Sequence, residues 1–183
     1  FILEPFIVEP LGVGYLVSSL KKNGFDVDWF KTDKNLIDEI KKYKPNILAY
    51  SVTTGKHQKF VEINREIKKV YNALSIFGGS HPTYYPNFSR ISGVDVIVRG
   101  EAEKSFVEVL NKIMTKKACS NIVDCRTLEQ NLDRIPFPDR EFLYKYPENR
   151  DNPIKNIMTS RGCPYKCSFC ILQGEKVLLS NNA

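Results

Sequence analysis

No apolar run in this chain approaches the roughly 20 residues that a membrane helix needs. The most apolar stretch, residues 1–17, is broken by Glu4, Pro5, Glu9 and Pro10. No signal-peptide pattern opens the chain, and Phe1 already lies inside an apolar, strand-like run. The residues shown are therefore expected to belong to a longer protein. There is no internal repeat beyond a strand–helix unit, no low-complexity tract, and no stripe of alternating basic and aromatic residues. The last absence matters because the formal net charge is +6. The lysine pairs at 21–22, 41–42, 68–69 and 116–117 each fall near the end of an expected helix, where they face the negative pole of the helix dipole. Solvated helix ends account for the charge, and nucleic acid is not expected as a partner.

What is present supports a packed core. Apolar residues make up 42% of the chain and aromatics 11%, unlike a disordered composition. The first two-thirds alternates between strand-like and helix-like segments. Strands are expected at 1–3, 25–30, 47–51, 74–77 and 95–98, and helices at 11–23, 35–43, 56–72 and 103–116. That rhythm implies a doubly wound parallel sheet of the Rossmann or flavodoxin-like type, with helices on both faces. Ligands of such sheets sit beyond the carboxyl ends of the strands. The loops at 4–10, 51–56, 78–83 and 100–103 should therefore line a site. The candidate contacts are Ser51, Thr53, Thr54, Gly78, Gly79, His81, Gly100 and Glu101. The two glycines 78 and 79 suit close backbone approach to a bulky ligand. His81 reads equally well as a loop residue that caps backbone near Pro82, and Glu101 and Glu103 as first-turn acids at a helix N-terminus. His57 reads as a solvated residue at a helix start.

After residue 117 the rhythm breaks. Residues 119–133 are expected to form a short hairpin, 135–140 a proline-stiffened linker and 141–146 a single helical turn. Residues 153–159 then read as a strand that delivers the chain into a cysteine cluster. The chain accordingly divides into an α/β domain at 1–118, a linker at 119–152 and the start of a second domain at 153–183.

The five cysteines are an odd number, and three of them crowd into eight residues as Cys163-x-x-x-Cys167-x-x-Cys170. Such spacing makes poor disulfides, and clustered thiols in a reducing cytosol usually bind metal. A cytoplasmic location is expected. A tetranuclear iron–sulfur cluster held entirely by protein takes four thiolates. Three leave one iron open, which is where a cosubstrate binds on a catalytic metal. Structural zinc, with Cys119 or Cys125 as a fourth ligand, is the plainer alternative, but zinc sites usually pair their ligands as C-x-x-C twice.

The run from Ser160 to Cys170, including Phe169 before the last cysteine, resembles the signature of the radical S-adenosylmethionine (SAM) superfamily. The resemblance implies a [4Fe-4S] cluster on Cys163, Cys167 and Cys170, with S-adenosyl-L-methionine bound at the open iron. Reductive cleavage of its sulfonium would give a 5′-deoxyadenosyl radical. Phe169 would pack beside the adenine end of the cosubstrate. Upstream, the stretches at 10–27, 78–83, 94–103 and 135–142 resemble, in order, the cobalamin-binding domain that precedes the barrel in cobalamin-dependent members of that superfamily. One departure is clear: the D-x-H-x-x-G motif whose histidine coordinates cobalt in methyltransferase and mutase domains is absent, and neither His57 nor His81 fits it. Many radical-enzyme relatives also lack it, and Ser51, Thr53 and Thr54 would then face the lower side of the corrin or its tail.

The resemblance implies an enzyme that performs methyl transfer or a radical rearrangement on a small molecule, fed by an electron donor such as flavodoxin or ferredoxin. The barrel is expected to be truncated at Ala183, leaving a loose tail at 172–183, an unpaired edge on 153–159 and no turnover from these residues alone. A radical methylthiotransferase acting on transfer RNA is a rival, but its first domain carries three further cysteines and residues 1–118 have none. A non-enzymatic cobalamin carrier or sensor would have no use for the cysteine loop.

Overall fold

Three central strands with apolar side chains on both faces place the core. In β3 (Ile47–Ser51), Leu48 and Tyr50 point to one side and Ala49 to the other. In β4 (Leu74–Gly78) and β5 (Val96–Gly100) the same alternation divides Phe77 and Ile97 from Ile76, Val96 and Val98. A period of two sends successive side chains to opposite faces, and a sheet that is apolar on both needs two helical covers. The computed structural model describes residues 1–6, 8–115, 120–125, 129–171 and 177–180.

The covers come from amphipathic helices. Helix α1 (Leu11–Lys22) buries Val13, Val17 and Leu20, and α5 (Ser105–Met114) buries Phe106, Val107 and Leu110, both on the face of Ile76. Helices α2 (Leu36–Tyr43) and α3 (His57–Val70) place Leu36, Ile40, Phe60 and Ile67 on the opposite face. The lysine pairs at 21–22, 41–42 and 68–69 occupy the last turns of α1, α2 and α3. Residues 116–117 lie outside the described residues.

Strand β1 (Ile2–Leu3) pairs in parallel with both β2 (Phe30–Lys31) and β3, β3 with β4, and β4 with β5. The sheet order is β2-β1-β3-β4-β5-β6, doubly wound and parallel throughout, with the order reversing between β1 and β3. Among the described residues, no helix is long and apolar enough to cross a membrane.

Four departures from the sequence expectation have physical causes. The expected strand at 25–30 pairs only at Phe30–Lys31, because β1 offers two residues of ladder. Asp26 and Asp28, which alternate with its apolar residues, accept instead from Tyr43 and Lys145. The hairpin expected at 119–133 is replaced by a sixth parallel strand, β6 (Ile122–Cys125), paired with β5; its first residue considered, Cys119, lies outside the described residues. The loop after β4 folds into a short helix, α4 (Ser80–Tyr84), and a 3-10 turn, Pro86–Arg90. Finally, residues 154–159 form no strand, and Ile154 and Ile157 stand 64% and 77% exposed. Pairing begins one residue later, where β7 (Ser160–Arg161) meets β8 (Leu178–Leu179) antiparallel. The tail expected to be loose is thus tied at 177–180, where the Ser180 hydroxyl donates to Asp133 at 2.6 Å; residues 172–176 and 181–183 lie outside the described residues.

The expected linker packs tightly. The helical turn α6 (Arg140–Leu143) is capped by Asp139, which accepts from the Phe142 N–H at 2.8 Å. Phe142 and Leu143 pack with Trp29, Val13 and Val17, and the Trp29 indole donates to the Phe142 carbonyl. A Cβ at Gly14 would fall 2.9 Å from Pro138 Cβ, so glycine lets the linker touch α1. A second short helix, α7 (Pro147–Arg150), follows.

Two polar groups beneath the sheet are paired within the chain. The Tyr50 hydroxyl donates to Asn64 Oδ1 at 2.9 Å, and Asn64 Nδ2 donates to the Gly93 carbonyl. Asp95 accepts from the Ser75 N–H at 2.7 Å, the Ser75 hydroxyl at 2.8 Å and the Lys68 ammonium. Partial burial opposes the Asp95 charge, but these donors outweigh it and hold its pKa below the ordinary carboxylate value. A lowered folded-state pKa stabilises the fold above the unfolded value, about 3.9, and that contribution fades as pH falls through the folded value. Asp95→Asn should therefore lower stability by about 1 kcal/mol at neutral pH, allowing for its part exposure. Urea unfolding should find the difference from the parent shrinking below about pH 3.5; a difference that grows on acidification would contradict this assignment.

Candidate functional site

The carboxyl ends of β3, β4 and β5 open onto a cavity of about 280 Å³ between the sheet and the face covered by α1 and α5. Its floor is apolar: Ala49, Ile76, Val98, Leu16 and Phe106 line it. Its rim is backbone and small polar groups, including Ser51, Gly78, Gly79, Gly100 and Glu101. Such a cavity follows from the topology, since every strand enters its loop at this edge.

Two glycines shape the rim for different reasons. Gly79 has φ +96°, and a Cβ there would lie 2.7 Å from the Val52 carbonyl oxygen. The chain after β3 passes that close because the Val52 N–H donates to the Gly78 carbonyl and the His81 N–H to the Val52 carbonyl. Gly12, in the first turn of α1, lines the cavity, and a Cβ there meets nothing within 4 Å. A side chain at Gly12 would occupy open space that a ligand could use.

Of the residues singled out from sequence, Ser51, Gly78, Gly79, Gly100 and Glu101 are brought together around this cavity. Thr53, Thr54 and His81 are not. The Thr54 hydroxyl meets His81 Nδ1 at 3.0 Å. The His81 ring stacks on His57, with centroids 3.7 Å apart and planes at 11°, and packs edge-on to Phe88. Burial, and then the neighbouring His57, lowers the His81 pKa, so His81 is predominantly uncharged at neutral pH. His57 is half-buried rather than solvated, with Nδ1 among the buried atoms that have no partner.

Sequence reasoning missed several lining residues, Gly12, Leu16, Phe106, Met158 and Arg161, while Ala102 and Glu103 lie in the loop at 100–103 expected to line the site. The signal for Gly12 was its place in a glycine-containing stretch of α1. Met158 and Arg161 come from far along the chain, and no local pattern marks them. Arg161, 9% exposed, meets Glu101 Oε2 at 2.5 Å and Glu103 Oε1 at 2.7 Å. Glu101 and Glu103 thus bind a cation.

The cysteine loop lies just beyond. Cys167 is exposed and Cys163 and Cys170 are half-buried, with the Cys170 N–H donating to the Cys167 carbonyl at 3.0 Å. Among the described residues, no three histidine, cysteine or acidic side chains are gathered as a metal site. Phe169 is 92% exposed. Cys125, weighed as a zinc ligand, is buried in the apolar cluster under α5, where desolvation pushes its thiol pKa up.

A parallel α/β domain with an apolar cleft at its strand ends is a ligand-binding domain of the doubly wound class. Residues 5–110 match the B12 binding domain family, and the chain belongs to it. Over 88% of its length the chain is similar to an uncharacterized methyltransferase, PH0819, of Pyrococcus horikoshii, at 30% identity and covering 40% of that protein. It is 29% identical to the anaerobic magnesium-protoporphyrin IX monomethyl ester cyclase of Rubrivivax gelatinosus, with 88% of this chain and 34% of that one aligned. The cobalamin-dependent radical SAM methyltransferase TokK of Streptomyces tokunonensis shares 24% identity over 69% of this chain and 22% of its own. The chain spans less than half the length of these relatives.

The linker is clamped to the first loop beside the cleft. Glu9, 6% exposed, accepts from Arg140 at 2.7 Å, the Tyr144 hydroxyl at 2.5 Å and the Asn156 N–H at 3.1 Å. Glu9→Gln keeps the shape but removes the charge from a charge-assisted network. It should cost about 2 kcal/mol, read as a lower urea midpoint at unchanged slope; an unchanged midpoint would show that the network contributes nothing net.

Proposed function

We propose that this chain is the cobalamin-binding and cluster-bearing portion of a cobalamin-dependent radical SAM enzyme, acting in methyl transfer or a radical rearrangement on a small molecule. The observation that carries the reading is that Met158 and Arg161, which lead into Cys163, line the cleft of a B12-family domain, with Arg161 paired to Glu101 at its rim. The names of the relatives, two methyltransferases and a cyclase, support this range of chemistry.

The residues suit the cofactors. The open space at Gly12, the apolar floor and the exposed backbone of Gly78, Gly79 and Gly100 suit the nucleotide tail of a large cofactor, which needs apolar walls and close main chain. Ser51 and Glu101 supply hydrogen-bonding groups at the rim, and Thr53 and Thr54 flank it on the same loop. Cys163, Cys167 and Cys170 offer the three-thiolate donor set of a [4Fe-4S] cluster with one iron left for S-adenosyl-L-methionine. When bound, cobalamin supplies a carrier for a transferable group and the cluster supplies single electrons, drawn from a donor such as flavodoxin or ferredoxin. Phe169, which projects into solvent, would offer its ring to the adenine end of the cosubstrate. The protein's part is to hold these groups close together and dry.

Two measurements test this. Anaerobic reconstitution with iron and sulfide should give cluster absorbance that Cys163→Ala loses, and hydroxocobalamin should bind the chain in a titration that Gly12→Leu weakens by about tenfold or more. No binding by the parent chain would sink the cobalamin reading. His81→Ala should leave the spectrum of bound hydroxocobalamin unchanged, because His81 is packed against Thr54 and His57 and does not line the cavity. Loss of an imidazole-ligated signature in that variant would place the histidine on cobalt after all.

A further inference from the structure

Arg161 stands two residues before Cys163 and is held from three sides. Glu101 and Glu103 take its guanidinium, and the Tyr15 ring lies 5.0 Å from it. Burial opposes its charge, but Glu103 and Glu101 raise its pKa above the ordinary guanidinium value, so it is always a cation. Its own strand, β7, pairs with β8, and Met158 on the same segment also lines the cavity. Part of the cleft wall is therefore built by the segment that leads into the cysteines, and this triad ties that segment to the rim. A ligand on the cleft floor lies against it.

We propose that Arg161 is a positioning residue whose ion triad with Glu101 and Glu103 locks the cysteine segment across the mouth of the cleft, so that release of a cobalamin held there requires the triad to open. The proposal rests on the cobalamin reading above. Opening separates opposite charges that are largely shielded from water, where their attraction is stronger than in bulk solvent, so the lock slows exit. Linkage makes the effect mutual: a ligand that holds the wall shut also holds the cysteines in place.

The test uses the whole chain loaded with hydroxocobalamin, stripped of free ligand and followed by absorbance as cobalamin leaves. Arg161→Gln and Glu103→Gln should each speed release about tenfold, equivalent to about 1.4 kcal/mol. The double variant should release no faster than the single ones, because all break one triad. Arg161→Lys, which keeps the charge but not the fork, should fall between. Asp95→Asn, remote from the cleft, should release at the parent rate; this separates a lock from general destabilisation. In the cofactor-free chain, Arg161→Gln should also speed maleimide labelling of the half-buried Cys163 and Cys170. Parent-like release from Arg161→Gln overturns the lock while leaving cobalamin binding intact. If the parent binds no cobalamin, the functional reading fails, and equal maleimide rates in parent and variant then overturn the lock by themselves. Should circular dichroism show Arg161→Gln unfolded, Glu103→Gln and Arg161→Lys decide on the same criteria.

Discussion

A parallel strand cannot turn straight back onto its neighbour, so each of the first strands must be followed by a crossover that climbs over one face of the sheet. The architecture follows from that constraint. Crossovers through α1 and α5 cover one face and those through α2 and α3 the other, and the side chains of β3, β4 and β5 must be apolar on both. It also sends every loop after a strand to a single edge. The five-residue ladder between β3 and β4 continues past both strands through the Val52 and His81 amides. The Gly79 backbone is pressed there so closely that no Cβ fits. Rigid edge geometry is what turns a gap between α1, α5 and the sheet into a cleft with fixed walls.

Patterns confined to one element were readable from sequence, and patterns that need a partner were not. Phe60, Ile63, Ile67 and Val70 mark α3 without help, and NILAYSV marks a buried strand. Residues 25–30 alternate as a strand should, but alternation cannot reveal that β1 has only two residues to pair with. Residues 122–125 are apolar at Ile122, Val123 and Cys125 but form too short a run to announce a strand alone, yet after α5 the chain returns parallel to β5, as the other crossovers do. Residues 153–159 show the converse: their backbone is met by side chains, with the Asn156 N–H donating to Glu9 and its carbonyl accepting from Arg140, and the ladder forms at Ser160 where Leu179 is available.

The site divides along the same line. Ser51, Gly78, Gly79, Gly100 and Glu101 could be placed because strand ends and a doubly wound order dictate where a cleft opens. His81 misled for a physical reason. It follows two glycines at a strand end, but α4 turns its ring into the α3 side, where stacking on His57 and the Thr54 contact satisfy it. Arg161 could not be placed locally, since its meaning depends on Glu101 and Glu103 some 60 residues earlier.

That long-range triad also sets the electrostatic character of the cleft. Two carboxylates against one guanidinium leave the rim with one uncompensated negative charge above an apolar floor. Main chain of Gly78, Gly79 and Gly100 and, through Gly12, the first turn of α1 line the same cleft. Charged, main-chain and apolar surfaces therefore meet at one strand-end edge, and one of the three charged side chains there arrives with the segment that leads into the cysteines. In this chain a single set of ionic contacts joins the rim of the cleft to the segment that leads into the cysteines.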